Sequence, residues 1–260
     1  MSAYDVVRTA VADDGVATLT LDRPPVNALG RQLAAEIPRA AAELAADERV
    51  RCLVLNSSGK HFCAGADLKE RKGMNLDEVR AFVPKLAAAV NAVAGLSFPT
   101  IAAVRGAAAG GGCELALGCD LRVLGSGAKI GLRETALAII PGAGGTQRLP
   151  RLVGMARAKR WIFAAELHDA RQALADGVAD RVVEDDQVDE AALEMARTIA
   201  ANGPLAVRLA KQAIERGFDL PLDEALRLEW DCYTGTLDSR DRVEALEAFA
   251  EKRKPRFTGR

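Results

Sequence analysis

Hydrophobic and polar residues alternate between strand-like and helix-like patterns along the first part of the chain. Residues 6–21 consist of two apolar segments around Asp14-Gly15, a combination that predicts a β-hairpin. Short apolar runs predict three buried strands, at 50–55, 100–104 and 121–124. Because helical patterns separate these runs, the sequence predicts an α/β body of βαβ type.

Helical patterns are distributed differently in the two parts of the chain. In the first part they predict helices at 33–46, 76–93 and 110–117, with Asn75 as the N-cap of the second, and a loop at 57–73. In the last part helices follow one another directly, at 190–201, 205–216, 222–233 and 242–252. We therefore predict an α/β body over 1–200 and a helical region over 201–260.

Composition excludes several classes of protein. Of 260 residues, 49% are hydrophobic and 27% are charged, which excludes a disordered or fibrous chain. The net charge is −1, so the chain lacks the basic excess that is usual in proteins that bind nucleic acids or anionic membranes. The most apolar stretch, 100–119, contains Arg105 and Glu114 and is expected to be core. Since the N-terminus resembles no signal peptide, we expect a cytoplasmic protein without membrane association.

Cysteine and histidine content limits the chemistry further. The chain has five cysteines, with no C-x-x-C pair, and two histidines. This predicts reduced thiols, no disulfide framework and no metal site. His61 is expected to be a loop residue, and His168 is expected to lie at the surface.

Three common catalytic motifs are absent. A dinucleotide fingerprint fails because Gln147 stands where G-x-G-x-x-G requires its third glycine. A phosphate-binding loop fails because His61 follows Gly59-Lys60, and a nucleophile elbow around Ser126 lacks its first glycine. These absences disfavour a simple NAD dehydrogenase, a P-loop NTPase and a serine hydrolase.

Three glycine-containing segments remain, at 61–70, 105–115 and 131–150. The first consists of small residues after a predicted strand, which lets a ligand approach the backbone at Ala66 but equally fits a tight turn. The second places three glycines at a helix start, where free N–H groups and the helix dipole stabilise negative charge on a substrate carbonyl.

Two glutamates lie in these segments. Glu114 is either an acid favoured by the helix dipole or a partly buried acid with a raised pKa. Glu134 is either a helix-terminal charge or one member of an acid–base pair. The residue types and spacing alone leave both alternatives open.

The same segments resemble a known family over essentially the whole chain. The matching runs are F-C-A-G-A-D-L-K-E at 62–70, G-G-G-C-E-L-A at 110–116 and E-T-A-L-A-I-I-P-G-A-G-G-T-Q-R-L-P-R at 134–151, with L-D-R-P-P-V-N-A-L at 21–29 and F-A-E-K-R-K-P-R-F at 249–257. In this order they resemble the enoyl-CoA hydratase/isomerase (crotonase) superfamily. The run F-C-A-G-A-D-L-K-E-R is similar in particular to the branch that includes the AU-rich-RNA-binding methylglutaconyl-CoA hydratase.

The resemblance implies a fold and roles for individual residues. The fold is a spiral of ββα units with a C-terminal helical trimerisation region, assembled as a homotrimer or hexamer. Ala66 and Gly111 match the two oxyanion-hole donors, and Glu114 and Glu134 match the two catalytic acids. Positions that match substrate or CoA contacts are Ala64, Ala66, Asp67, Leu68, Lys69, Gly142, Phe249 and Lys252. The last two match residues that reach a neighbouring subunit's CoA.

The implied reaction is hydration of a trans-2-enoyl-CoA to a 3-hydroxyacyl-CoA. Two N–H donors polarise the thioester carbonyl, and a water held between Glu114 and Glu134 attacks C3. One glutamate is expected to be charged and the other neutral, in an order that the sequence leaves open. No metal or redox cofactor is required, because CoA is part of the substrate.

Three alternatives accompany this interpretation. A 3-methylglutaconyl-CoA hydratase differs only in its acyl group. A Δ3,Δ2-enoyl-CoA isomerase is disfavoured because isomerases of this family generally work with one carboxylate, and this chain has both. RNA binding, suggested by the nearest branch, is disfavoured because the matching segment 31–43 has two Arg offset by two Glu and no Lys.

Overall fold

The computed structural model describes residues 4–260. Its strands are β1 Val7–Val11, β2 Val16–Leu21, β3 Cys52–Ser57, β4 Thr100–Val104, β5 Ala107–Ala109, β6 Leu121–Gly125, β7 Lys129–Gly131, β8 His168–Asp169 and β9 Arg181–Val183. Its α-helices are α1 Arg31–Ala46, α2 Leu68–Lys72, α3 Leu76–Ala94, α4 Gly111–Leu117, α5 Gly145–Val153, α6 Met155–Ala164, α7 Ala170–Asp176, α8 Val188–Ala200, α9 Pro204–Gly217, α10 Leu222–Thr234 and α11 Arg240–Ala250. Short 3-10 helices lie at Glu134–Leu137 and Asp185–Gln187.

The larger sheet has the strand order β1-β2-β3-β4-β6-β9. The predicted hairpin is present, with β1 antiparallel to β2 and Val7 opposite Leu21. The remaining neighbours are parallel. Parallel strands are covered on both faces, which explains why these strands read as short continuous apolar runs in the sequence.

The smaller sheet has the order β5-β7-β8 and is extended by two isolated bridges, Leu29 to Ala66 and Cys63 to Ala108. Successive turns of chain thus place one segment in the larger sheet, one beside the smaller sheet, and then a helix. This repetition is the spiral of ββα units that the resemblance implied, and the α/β prediction is confirmed.

Two apolar cores lie on opposite faces of the larger sheet. One contains Val54 and Ile101 and is covered by α8 through Ala192 and Ala196. The other contains Leu19 and Leu55 and is covered by α1 and α3, which pack against each other. Because both faces are covered, the sheet is a rigid base for the loops that leave its strand ends.

Local capping explains where several helices begin. Asn75 accepts the Glu78 N–H while the Glu78 carboxylate accepts the Asn75 N–H, so the predicted N-cap of α3 is part of a capping box. The predicted loop at 57–73 instead ends in the short helix α2. Asp67 caps this helix by accepting the N–H groups of Lys69 and Glu70.

The cysteines and His168 can be compared with the expectations from the sequence. All five cysteines are buried and free. Within residues 4–260, no cluster of His, Cys, Asp and Glu has the arrangement of a metal site, and no helix is long and apolar enough to cross a membrane. The expectation for His168 is wrong, because its ring is partly buried and stacks on Trp161 with the ring centroids 4.0 Å apart.

Candidate active site

The backbone N–H of Ala66 is free because of the way its segment pairs with Leu29. In this bridge the Leu29 N–H donates to the Gly65 carbonyl at 2.8 Å, and the Asp67 N–H donates to the Leu29 carbonyl at 3.1 Å. Parallel pairing uses the residues on either side of Ala66, so the N–H of Ala66 itself points away from the bridge. It has no hydrogen-bond partner within residues 4–260.

A second free N–H belongs to Gly111, the first residue of α4. The first N–H groups of a helix have no partner within the helix, and this one has none elsewhere in the described chain. Gly65 lets the two segments approach, since its φ is 88° and any side chain there would overlap the Ala109 carbonyl. A Cβ added to Gly111 would lie 3.8 Å from the Ala66 nitrogen, so both free N–H groups border the same space.

Glu114 is buried on the side of this space formed by α4. Its Oε1 accepts the N–H of Ala143 at 2.7 Å and that of Gly145 at 2.8 Å. Its Oε2 lies 4.0 Å from where a Cβ on Gly111 would stand. Burial, the largest effect, raises the pKa of Glu114 above its ordinary value, against the opposing effects of the two N–H groups and the charge of Arg148. The hydrogen bonds therefore favour the charged carboxylate.

Glu134 begins the 3-10 helix that faces α4 and is also buried. Its Oε2 has no hydrogen-bond partner within the described residues. Burial, followed by the negative charge of Glu114, raises the pKa of Glu134 to about 7, against the opposing effect of backbone N–H groups at Glu134 and Arg133. A side chain at Gly110, whose φ is 53°, would lie 3.0 Å from Glu134 Oε1, so glycine gives the carboxyl group its place.

Arg148 supports the loop that holds Glu114. Its guanidinium donates to the Ala143 carbonyl at 3.0 Å and to Asn91 Oδ1 at 2.6 Å, which ties the loop to α3. Arg148 forms no salt bridge with an acid in the described chain. Burial lowers the pKa of Arg148, and the negative charge of Glu114 opposes that effect. The arrangement therefore places one positive charge beside Glu114.

A cavity of about 590 Å³ lies in front of these groups. Ala66, Gly111 and Glu134 line one side of it. Leu68, Val79, Leu137 and Ile139 supply apolar surface, and the cationic residues Arg71, Lys72 and Arg133 also line it. A carbonyl bound by the two N–H groups, the carboxyl group of Glu134 and an apolar chain therefore fit in one space, and Glu114 lies next to this lining near Gly111.

The structure brings some predicted substrate-binding residues to this cavity and leaves others outside it. Ala64, Ala66 and Leu68 line it. Asp67 does not, since its carboxylate caps α2 and pairs with Arg23 at 2.8 Å. Lys69 and Gly142 are exposed and do not line the cavity. Phe249, in α11, and Lys252, just after α11, do not line it either.

Several residues at the site were not predicted from the sequence. They are the loop donors Ala143 and Gly145, the supporting Arg148, and the cations Arg71 and Arg133. The first three lie in the long glycine-containing segment 131–150, which was the available signal. Arg71 ends the run F-C-A-G-A-D-L-K-E-R and Arg133 lies in the segment 131–150, but neither was assigned a role, because a single arginine in a sequence is usually a solvated surface residue.

Comparison with known proteins agrees with this geometry. A model of the family described as enoyl-CoA hydratase/isomerase matches residues 12–260. The mitochondrial methylglutaconyl-CoA hydratase of Rattus norvegicus is 47% identical over 251 residues, covering 94% of this chain and 80% of that protein. A probable mitochondrial enoyl-CoA hydratase 2 of Arabidopsis thaliana is 44% identical over 254 residues, covering 97% of this chain and 84% of that protein.

A solved structure shows the same fold. The crystal structure of an enoyl-CoA hydratase from Bacillus anthracis superposes with a TM-score of 0.96 at 43% identity, covering 98% of this chain and all of that one. Sequence and fold thus agree over nearly the full length of the chain. The chain belongs to the enoyl-CoA hydratase/isomerase family, and it is an enzyme of the hydro-lyase class.

Proposed function

We propose that the enzyme adds water across the 2,3 double bond of a trans-2-enoyl-CoA to give a 3-hydroxyacyl-CoA. One observation carries this proposal: two free backbone N–H groups and Glu134 line one cavity, and the buried Glu114, whose hydrogen bonding differs from that of Glu134, lies next to Gly111. The N–H pair suits a thioester oxygen, and the unlike glutamates suit one proton acceptor and one proton donor.

The N–H groups of Ala66 and Gly111 would act on the thioester carbonyl. As the carbonyl becomes enolate-like, its oxygen gains negative charge and accepts stronger hydrogen bonds from both donors. A preorganised donor of this kind contributes roughly 3 kcal/mol to transition-state stabilisation. Polarisation of the carbonyl makes C3 electrophilic and prepares it for attack by water.

The two glutamates then divide the proton transfers. Glu114, whose carboxylate accepts two N–H groups, removes a proton from the water as its oxygen bonds to C3. Glu134, whose raised pKa keeps it largely protonated below pH 7, donates its proton to C2. One water is consumed, and a proton must return from Glu114 to Glu134 before the next turnover.

The proposed reaction transfers no electrons, so it requires no redox cofactor, and CoA enters as part of the substrate. Hydrogen-bond donors supply the charge stabilisation that a metal provides in other hydro-lyases. We propose that the enzyme needs neither group.

We also propose a homotrimer or hexamer. Large apolar side chains are exposed on the last helices, among them Leu226, Trp230, Leu246 and Phe249, and Phe249 is 86% exposed. Exposed apolar surface of this extent is typical of an interface. Phe249 and Lys252 lie outside this chain's own cavity, which supports their proposed contact with the CoA of a neighbouring subunit.

The experiment is direct hydration of crotonyl-CoA, followed as loss of absorbance of the conjugated thioester. The expected result is stereospecific formation of 3-hydroxybutyryl-CoA. A 3-enoyl-CoA is the matched second substrate, because an isomerase would convert it to the 2-enoyl form and leave crotonyl-CoA unhydrated. Isomerisation of the 3-enoyl-CoA without hydration of crotonyl-CoA would identify an isomerase and overturn the proposed function. Glutaconyl thioesters are a second substrate class to assay, because the methylglutaconyl-CoA hydratases that resemble this chain are 47% identical to it.

A further inference from the structure

Arg23 lies in the loop between β2 and α1, and its guanidinium group connects this loop to α2. Its Nη1 donates to the Ala28 carbonyl, within the loop, at 2.8 Å. Its Nη2 pairs with Asp67 Oδ2 at 2.8 Å and with Glu70 Oε1 at 3.1 Å. Asp67 is the N-cap of α2, and Glu70 lies within that helix. One side chain therefore holds the loop and the start of α2 together.

These contacts lie beside the bridge that leaves the N–H of Ala66 free. Leu29 pairs with Ala66 in this bridge. Ala28 is the neighbour of the first residue along the chain, and Asp67 is the neighbour of the second. Arg23 thus holds one residue next to each partner of the bridge. A shift between the two segments would turn the free N–H, because the flanking hydrogen bonds of a parallel pair set its direction.

The backbone from which the Arg23 side chain extends is itself fixed. The Arg23 N–H donates to Asn27 Oδ1 at 2.7 Å, and the Asn27 N–H donates to the Arg23 carbonyl at 2.9 Å. The buried Asn27 side chain also donates to the His61 carbonyl at 2.9 Å, and the Ala64 N–H donates to the Val26 carbonyl at 3.0 Å. The loop is therefore anchored to the chain that leads into the bridge.

The pairing of Arg23 with Asp67 is an ion pair between partly buried groups. Burial is the largest effect on the pKa of Asp67 and raises it, but hydrogen bonds from Arg23 and from the N–H groups of α2 hold this pKa below its ordinary value. Arg23 binds Oδ2, whereas the helix N–H groups bind Oδ1. The same carboxylate therefore caps α2 and receives the guanidinium group, which fixes the helix against the loop.

Glu70 extends this network to the start of α1. Its Oε2 accepts the Arg31 N–H at 2.8 Å, while its Oε1 accepts Arg23. A side chain at Gly30 would overlap the Glu70 carboxylate, so glycine leaves room for it. Because α1 covers one face of the larger sheet, the network links α2 and the bridge to the rigid part of the fold.

We propose that Arg23 is a positioning residue for the oxyanion hole, since its guanidinium group holds the Ala66 N–H in the direction that a thioester oxygen requires. This inference rests on the proposed function and adds to it a residue outside the lining of the cavity. Arg23 acts through the bridge at Ala66 and through α2, not by contact with the reacting atoms. A displacement of about 1 Å in a catalytic group can lower the rate about 100-fold, so a support of this kind affects turnover.

The test combines hydration kinetics with a spectroscopic measure of carbonyl polarisation. The probe is 4-(dimethylamino)cinnamoyl-CoA, whose absorption moves to longer wavelength when its thioester oxygen accepts hydrogen bonds. Arg23→Met keeps the aliphatic stem and removes the guanidinium contacts. We expect kcat for crotonyl-CoA to fall roughly 10–100-fold. About half of the wild-type wavelength shift should be lost, because one of two donors is misplaced. KM should change less than about threefold, since the lost interaction acts in the transition state.

Three further variants separate positioning from charge and from general stability. Arg31→Met removes an arginine whose side chain pairs with Glu78 at 3.3 Å, away from the bridge, and should match wild type in kcat and wavelength shift. Arg23→Lys keeps the charge but presents a single ammonium group, so it should recover only part of both. Asp67→Asn keeps a good N-cap and removes the charge opposite Arg23, so it should lower both. Thermal unfolding of each variant checks that it is folded.

The outcomes distinguish the two levels of proposal. Wild-type kcat and wavelength shift in folded Arg23→Met would overturn the inference. If Arg23→Met does not fold, the same result in Asp67→Asn would overturn it. A lower kcat with an unchanged wavelength shift would also overturn it, because the carbonyl would then be polarised as in wild type. Failure of the proposed function would appear in the wild-type enzyme itself, as no hydration of crotonyl-CoA and no wavelength shift of the bound probe.

Discussion

Glu114 lies next to Gly111 and Glu134 lies next to Gly110, and the two carboxyl groups differ in their hydrogen bonding. Glu114 Oε1 accepts two backbone N–H groups, at 2.7 and 2.8 Å, whereas Glu134 Oε2 accepts none from the described residues. The negative charge of Glu114 contributes to the raised pKa of Glu134. The two N–H groups favour the charged form of Glu114, and the negative charge of Glu114 favours the neutral form of Glu134.

Glutamine substitution tests both roles. Glu114→Gln and Glu134→Gln should each reduce kcat by roughly 10²–10⁴, since each removes a general base or acid while keeping the side-chain shape. Steady-state hydration of crotonyl-CoA and a circular dichroism spectrum measure activity and fold together. Near-wild-type turnover in either folded variant would remove that residue from the mechanism.

The rate should depend on pH through Glu134. Its pKa of about 7 means that the donor form declines as pH rises past neutrality. We expect kcat to fall about tenfold per pH unit on the alkaline side, and to fall on the acid side as Glu114 becomes protonated. A rate that keeps rising above pH 7 would show that Glu134 acts as the base.

The free energy of unfolding should also depend on the ionisation of Glu134. Below the ordinary pKa of 4.5 Glu134 is protonated in the folded and unfolded states alike. Between pH 4.5 and about 7 the unfolded chain ionises first, so the free energy of unfolding declines as pH rises, by at most about 3 kcal/mol. Urea unfolding at about pH 5 and pH 8 should show this decline in wild type and less of it in Glu134→Gln. Equal declines would contradict the raised pKa.

Gly111 should tolerate no large side chain. Its Cβ would stand 3.1 Å from Leu29 Cδ1 and 3.8 Å from the Ala66 nitrogen, within the space assigned to the thioester oxygen. Gly111→Val should lose most of kcat. Valine could also destabilise the start of α4 by about 1 kcal/mol, so the thermal unfolding temperature must be measured beside the kinetics. Ala66→Pro, which deletes the other N–H donor, should also lose most of kcat. Full activity in both variants would place the carbonyl elsewhere.

Arg148 should act through Glu114. Arg148→Gln removes the positive charge that lowers the Glu114 pKa and weakens support for the Ala143 carbonyl. The acid limb of the kcat profile should therefore move to higher pH, with a loss of roughly tenfold at neutral pH. Asn91→Ala removes the second anchor and keeps the charge, so it should lower kcat without moving the limb. An unmoved limb in Arg148→Gln would limit Arg148 to a structural role.

Assembly should depend on the exposed apolar residues of α10. Trp230 is 61% exposed and stacks on Tyr233 with the ring centroids 5.7 Å apart. Trp230→Asp should shift a trimer or hexamer toward smaller species in sedimentation, because a charge is costly at an apolar interface. Arg227→Asp, an exposed change on the same helix, serves as a charge control. A fully active wild-type monomer at micromolar concentration would contradict the proposed assembly.

Sequence alone determined the local elements and the family. The hairpin around Asp14-Gly15 and the N-cap Asn75 were predictable because turns and caps depend on neighbouring residues. The buried strands were predictable because a parallel sheet covered on both faces requires continuous apolar runs. Residues Ala66, Gly111, Glu114 and Glu134 were chosen from motif letters, without any geometry.

Only the tertiary structure showed that the two carboxyl groups have different hydrogen bonding. The protonation of Glu114 depends on Ala143, Gly145 and Arg148, which reach it through folding and not through proximity in the chain. The cationic residues that line the cavity come together in the same way, since α2 supplies Arg71 and the segment before the 3-10 helix supplies Arg133. Electrostatic effects act across space over a few ångströms, so a pattern along the chain predicts the residue types but not their charges or partners.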